Sequence, residues 1–262
     1  MSQPVLRVTR DGGRVRVSLA RPEVRNAFNA ELIAALRETF LSLAEDSSVR
    51  SVLLEGDGKT FCGGADINWM RASLELGEDE NVRDAEAMSD MLRAIDRCPK
   101  PVIVRVHGAA LAGGAGLCAV ADAVVAEENA IFGFTETKLG IIPATISPFV
   151  IAKIGVSQAR RLFLTGERFD AQRACAIGLV HEVVHMDALD GVAGAIADEF
   201  DSAGPQAVAA AKALVRDVRA ASYDDSRALT ARALAKARVS AEGQEGLRAF
   251  LERRRPAWVV AP

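Results

Sequence analysis

The sequence predicts an α/β fold on three observations. An N-terminal segment alternates apolar and polar residues, later strands are apolar throughout with helical stretches between them, and the C-terminal stretch consists almost wholly of helix formers. Val15, Val17 and Leu19 alternate with Arg14, Arg16 and Ser18, the period of a strand with one buried and one wet face. Arg21-Pro22 is a turn signal that ends it. Asn29 is a plausible N-cap for a helix of about four turns, because Leu32, Ile33, Leu36, Phe40, Leu43 and Ala44 recur at helical spacing. Residues 51–56, SVLLEG, read as a short buried strand, and 57–70 as a glycine-rich loop.

Residues 82–97 form the next predicted helix, with Ala87, Met88, Met91, Leu92 and Ile95 on one stripe. The run 101–106, PVIVRV, is a second buried strand; the glycine run 113–116 follows it, then the strand 123–128, AVVAEE. Strands buried on both faces and separated by helices imply stacked right-handed crossover units. After Ser147 the chain reads as short helical pieces punctuated by glycines, with one last strand near 179–184. From about Gly204 it is helical and rich in Ala and Arg, a surface suited to subunit packing.

Composition bounds the function. The 262 residues are 50% hydrophobic and 26% charged, with 32 Lys+Arg against 35 Asp+Glu and a net charge of -3. A chain of this size builds its core without a disulfide or metal staple. The arginines are scattered, which argues against a nucleic-acid protein with its concentrated basic face. The four cysteines, at 62, 98, 118 and 175, have no C-x-x-C spacing, so neither a disulfide framework nor a zinc site is expected. No signal-peptide pattern opens the chain and no apolar run spans a bilayer, so it is expected to be cytoplasmic.

Three familiar motifs fail. Gly58-Lys59-Thr60 resembles the end of a P-loop, but Leu53 stands where the opening glycine belongs. The string Gly114 to Ala119 matches G-x-G-x-x-A, yet no acidic residue follows at the required strand end. No G-x-S-x-G occurs, and His107, His181 and His185 have no serine or cysteine partner pattern. Two glycine-bearing loops remain, each after a buried strand: Phe61 to Asp66, and Ala112 to Gly116 leading into a helix. Glycines there serve tight turns, or they leave backbone N–H groups free to converge as an oxyanion hole. A third element, Phe132 to Pro143, carries Glu136 in an otherwise apolar or aromatic stretch. Desolvated, such a carboxyl exchanges protons near neutral pH; otherwise it pairs with Lys138 or faces solvent.

In this order the segments resemble the crotonase (enoyl-CoA hydratase/isomerase) superfamily over essentially the whole chain. The matching pieces are Arg21 to Asn29, Phe61 to Ile67, His107 to Gly114, Glu136 to Pro143, Leu164 to Glu167 and Glu245 to Arg254. The resemblance implies a ββα spiral core over residues 1–200 and a helical oligomerisation region over 201–262, assembling as a homotrimer or a dimer of trimers. It implies a coenzyme A thioester as substrate, with no prosthetic group, metal, nucleic-acid partner or membrane. It assigns the oxyanion N–H groups to Ala65 and Gly113 and the acid/base to Glu136. The acyl-CoA is expected to touch Arg25, Ala27, Gly63, Ala65, Asp66, Ile67, Asn68 and Gly113, with Phe250 and Arg253 reaching it at a subunit contact.

The departure is Gly116, which stands where two-carboxylate hydratases keep their first glutamate. The expected reaction is hydration of an α,β-unsaturated acyl-CoA thioester, with Δ3,Δ2-enoyl-CoA isomerisation by one glutamate and a catalytically inactive CoA-binding assembly protein as the alternatives. Asn68-Trp69-Met70 and Leu139 to Pro148 are most similar to the methylglutaconyl-CoA and γ-carboxygeranoyl-CoA hydratase branch. A substrate of that kind carries a second carboxylate, for which Arg71 and Lys138 are the nearest cations in sequence.

Overall fold

The structure, a computed structural model, describes residues 4–259. An antiparallel hairpin of β1 (Leu6–Asp11) and β2 (Arg14–Leu19) opens it, turning at Gly12 with φ +56°. The alternation in β2 buries Val15 and Val17 and exposes Arg16, while Ser18 is buried because its hydroxyl donates to Glu55 at 3.0 Å. Helix α1 (Ala30–Glu45) starts where predicted, with the Asn29 side chain accepting from Leu32 N. Strand β3 (Ser51–Gly56), helix α2 (Ile67–Ser73) and helix α3 (Glu78–Arg97) follow.

From here the chain runs as a repeated unit: a strand in a large sheet, a short strand in a second sheet, then a helix. One turn is β4 (Val102–Val106), β5 (Ala109–Leu111) and α4 (Gly113–Val120). The next is β6 (Ala123–Glu127), β7 (Ile131–Gly133) and α5 (Ser147–Thr165). β3 begins an earlier turn of the same kind, in which Cys62 bridges in parallel to Ala110 and takes the place of the second-sheet strand. Then come β8 (Arg168–Asp170), α6 (Ala171–Ala176), β9 (Glu182–Val184) and α7 (Leu189–Ser202). The large sheet has the order β1-β2-β3-β4-β6-β9, parallel after the hairpin, and the second sheet the order β5-β7-β8.

The apolar character of the central strands follows from this layering. Val104 and Val124 face the main core with Leu36, Met91 and Leu92 of α1 and α3. Ile103 and Val125 face the other way, under Leu189, Ala193 and Ala197 of α7. Helices α8 (Pro205–Ala220), α9 (Tyr223–Val239) and α10 (Ala241–Leu251) complete the structure. They are tied to the body by Lys212 Nζ, 2.6 Å from Asp122 Oδ2, and by Trp258 Nε1, which donates to Ser202 O at 3.1 Å. Among the described residues no helix is long and apolar enough to cross a membrane.

Several expectations shift. The loop predicted over 57–70 contains the start of α2, which Asp66 caps by accepting from Asn68 N. The helix predicted from 82 starts at Glu78, because three acidic residues favour its N-terminus without adding to the apolar stripe. The strand predicted over 179–184 shortens to β9, since Leu179 and Val180 N–H bond back to Ala174 at the end of α6. α5 kinks at Gly155 (φ 76°), in keeping with its glycine punctuation.

Asn26 holds the turn before α1. Fully buried, it accepts from Arg21 N at 2.9 Å and donates to Asp57 O at 2.9 Å and Thr60 O at 2.7 Å. Asn26→Ala strands these three groups and is expected to cost about 3 kcal/mol, each unmet buried partner contributing roughly 1 kcal/mol or more. Urea unfolding measures it, and a loss within experimental error of zero contradicts the role.

Candidate active site

Three loops meet because each ends a second-sheet position in successive turns of the spiral. Cys62 N–H donates to Ala109 O at 3.0 Å and Leu111 N–H to Cys62 O at 3.0 Å, joining the first loop to the second. Ala112 N–H donates to Gly133 O at 2.8 Å and joins the second to the third. A few residues beyond these bonds lie Ala65, Gly113 and Glu136, and all three line one cavity of about 260 Å³. Among the described residues neither the Ala65 nor the Gly113 N–H has an acceptor, although the neighbouring Gly63 N–H is engaged by Arg25 O and Asp66 N–H by Phe28 O.

The glycines of these loops allow the backbones to touch. A Cβ on Gly114 would sit 2.6 Å from Cys62 O, and Gly64 has φ +100° with Leu111 O 3.3 Å from the same point. Ala112 adopts φ 49°, ψ -117°, a strained conformation for a residue with a Cβ, directly before the Gly113 donor and the α4 N-terminus. The first loop is fixed by the Arg21 Nη2 to Asp66 Oδ2 ion pair at 2.8 Å, both side chains largely buried.

Glu136 opens a short 3-10 turn after β7, behind Phe134. Among the described residues its Oε2 is buried without a partner, so that oxygen neither pairs with Lys138 nor faces solvent. Burial, the dominant cause, pushes its carboxyl above the ordinary range, against a smaller opposing effect of its own backbone N–H. The other reactive side chains nearby are committed elsewhere. Burial pushes the Cys62 thiol up to about 12, and the thiol donates to Asn26 O. His107 Nε2 bonds Gly58 O and His181 Nδ1 accepts from Val124 N.

Gly116 lies one turn into α4, wholly buried. A Cβ there would meet Ile146 Cγ2 at 2.4 Å, so Ile146 fills the space a longer side chain would need. The rest of the lining is mostly apolar and includes Phe28, Trp69, Met70, Met88, Ile142 and Ile146. The sequence pattern marks Phe28, Trp69, Met70, Ile142 and Ile146 only as parts of family-like segments and Met88 only as an apolar stripe residue, and it does not single out Asn81 or Ala85, which lie at helical spacing with Met88 on α3.

The other expected contact residues do not line this cavity. Arg25 is exposed, Asp66 is spent on Arg21 and the α2 cap, and Ile67 and Asn68 point outward from the first turn of α2. Ala27 and Gly63 sit in the adjoining loops, engaged through their backbones. Arg71 and Lys138 are exposed outside the lining, so the cations proposed for a second substrate carboxylate are not there. Phe250, 82% exposed, and Arg253 lie at the end of α10, away from the cavity of their own chain. A larger cleft of about 790 Å³ between α8, α9 and α10 is lined mainly by alanine and leucine and contains none of the expected catalytic or acyl-CoA contact residues.

The family model described as Enoyl-CoA hydratase/isomerase matches residues 10–260. An enoyl-CoA hydratase of Alternaria alternata is 38% identical over 83% of this chain and 71% of its own. The crystal structure of an enoyl-CoA hydratase from Shewanella pealeana superposes with a TM-score of 0.93 at 37% identity, covering 97% of this chain and 96% of that one. That of an enoyl-CoA hydratase from Mycobacterium smegmatis gives 0.93 at 36% identity, with 98% and 99% covered.

Two predictions follow from the burial of Glu136 and from the Gly116–Ile146 contact. A carboxyl whose folded-state pKa is raised stabilises the fold fully below the unfolded pKa and progressively less as pH rises through the folded one. Glu136→Gln is therefore expected to melt above the wild type at pH 8 and level with it near pH 4; thermal melts at both values test this. Gly116→Glu is expected to cost about 3 kcal/mol from overpacking and charge burial, and adding Ile146→Ala should restore about 2 kcal/mol of favourable coupling. Strictly additive losses in denaturant titrations would refute the steric account.

Proposed function

This chain belongs to the enoyl-CoA hydratase/isomerase family, and from that premise we propose that it is a hydratase adding water across the double bond of an α,β-unsaturated acyl-CoA thioester. The observation that carries the reading is the convergence of two unengaged backbone N–H groups, on Ala65 and Gly113, with an unpartnered carboxyl on Glu136 in one cavity. Donors without protein acceptors suit a thioester oxygen, whose charge grows as the bond system reacts. The α4 N-terminus behind Gly113 adds the favourable end of a helix dipole.

The steps balance with these three groups. The thioester carbonyl oxygen takes hydrogen bonds from Ala65 and Gly113. Water's oxygen bonds to Cβ as one of its protons passes to the Glu136 carboxylate, and the double-bond electrons move into an enolate held by the two donors. Glu136 then gives the proton to Cα, and the carboxylate is regenerated. Desolvation makes Glu136 a stronger base once ionised, suited to take a proton from water and to hold it until the enolate carbon receives it. The same groups would carry a Δ3,Δ2-isomerisation, moving one proton between carbons without water.

The acyl-CoA nucleotide is proposed to lie along the loops of Arg25 to Ala27 and Gly63 to Asn68, outside the cavity, with Phe250 and Arg253 contributed by a neighbouring subunit. The exposed Val215, Leu247, Phe250 and Leu251 of the helical C-terminal region support assembly as a trimer or a dimer of trimers. The finer substrate reading, a dicarboxylyl thioester of the 3-methylglutaconyl type, is supported by sequence pattern; its second carboxylate would take a cation from outside the cavity of the same chain.

The test is a panel of enoyl-CoA thioesters, with 3-methylglutaconyl-CoA among them. Hydration consumes the conjugated thioester chromophore of crotonyl-CoA, isomerisation of a 3-enoyl-CoA creates it, and an inactive acyl-CoA binder does neither. Gly113→Pro removes one donor and is expected to lower kcat by about a hundred- to a thousand-fold, roughly 3 kcal/mol. A folded Gly113→Pro variant with wild-type kcat would remove Gly113 from the oxyanion hole.

A further inference from the structure

Only one other ionisable side chain lines the cavity of Glu136 among the described residues, and it is Asp84. Helix α3 turns Asn81, Asp84, Ala85 and Met88 to the cavity, residues three and four apart on one face. That face abuts the oxyanion loop, since a Cβ on Gly113 would come within 2.9 Å of Met88 Cε. Its neighbours are occupied with local bonds. Asn81 Nδ2 donates to Leu76 O at 3.2 Å and Gly77 O at 3.1 Å, and the Ser73 hydroxyl donates to Met70 O at 2.8 Å. The Asp84 carboxylate is half-buried and, among the described residues, has neither an ion pair nor a side-chain hydrogen bond.

The α4 position is closed to a carboxylate, because a Cβ on Gly116 would already meet Ile146 Cγ2 at 2.4 Å. Resting on the hydration reading, we propose that Asp84 is the second carboxylate of this site, reached from α3 instead of α4. Water sits between two carboxyl groups. One of its protons goes to Glu136 and on to Cα. The other stays on the oxygen, which becomes the hydroxyl at Cβ, and Asp84 accepts a hydrogen bond from it throughout. No proton is gained or lost by Asp84; it fixes the direction of the oxygen lone pair toward Cβ, which a single carboxylate does not.

Asp84→Ala and the near-isosteric Asp84→Asn in the full chain test this with two reactions. The first is hydration of crotonyl-CoA; the second is exchange of the α-protons of butyryl-CoA for deuterium in D2O, followed by NMR, which uses Glu136 and the donors but no positioned water. Hydration kcat is expected to fall on the order of 100-fold in Asp84→Ala and less in Asp84→Asn, which keeps an acceptor, with α-proton exchange near the wild-type rate in both. Hydration at the wild-type rate in both variants overturns the assignment and leaves the hydration reading standing. Equal losses in hydration and exchange also overturn it, since they mark disturbed packing. A wild-type protein that hydrates no enoyl-CoA overturns both readings together.

Discussion

The site depends on main-chain contact between successive turns of the spiral. Bonds from Cys62 to Ala109 and Leu111, and from Ala112 to Gly133, hold three loops in one register. A shift of one residue in this ladder would turn the Gly113 N–H away from the cavity, because neighbouring backbone groups point in opposite directions. Close approach explains the glycines better than turn formation alone does. Gly108 is extreme, with φ +64° and Lys59 O only 2.1 Å from where a Cβ would sit. The strain at Ala112, of order 1–3 kcal/mol for such a conformation, is offset by the bonds on either side of it.

Glu136 and Gly116 are two sides of one packing decision. The cavity wall is built from isoleucines and aromatic rings, which strip water from Glu136 and leave its Oε2 without a partner. A buried polar atom without a partner is a cost to the fold. It is concentrated at the one carboxyl to which the proposed proton transfer is assigned. Ile146 occupying the space beside Gly116 makes the apolar wall continuous and confines any second carboxylate to α3.

Much of this architecture is legible in the sequence. The long helices and buried parallel strands announce themselves through period, and Asn29 through its cap. The two glycine loops and Glu136 stand out because their composition breaks with their surroundings. The second sheet is invisible, because β5, β7 and β8 have three residues each and carry no period. β1 is hidden for another reason: it is an edge strand with most of its residues exposed, so no alternation marks it. Asp84 sits on a charged helical stretch that looks like an ordinary solvated face until the cavity gives it a neighbour. Ile146 reads as one apolar residue among many, and its contact with Gly116 is purely tertiary.

The two tryptophans divide the molecule between them. Trp69 is in the cavity wall, while Trp258 clasps the helical C-terminal region to α7 through Ser202 and packs its ring on Gly246. With a single tyrosine in the chain, ultraviolet emission comes almost entirely from these two indoles. Replacing Trp258 by phenylalanine would leave a one-colour optical reporter at the cavity, blind to events in the C-terminal helices. The reverse substitution would leave a reporter of the C-terminal helices that is blind to changes in the cavity.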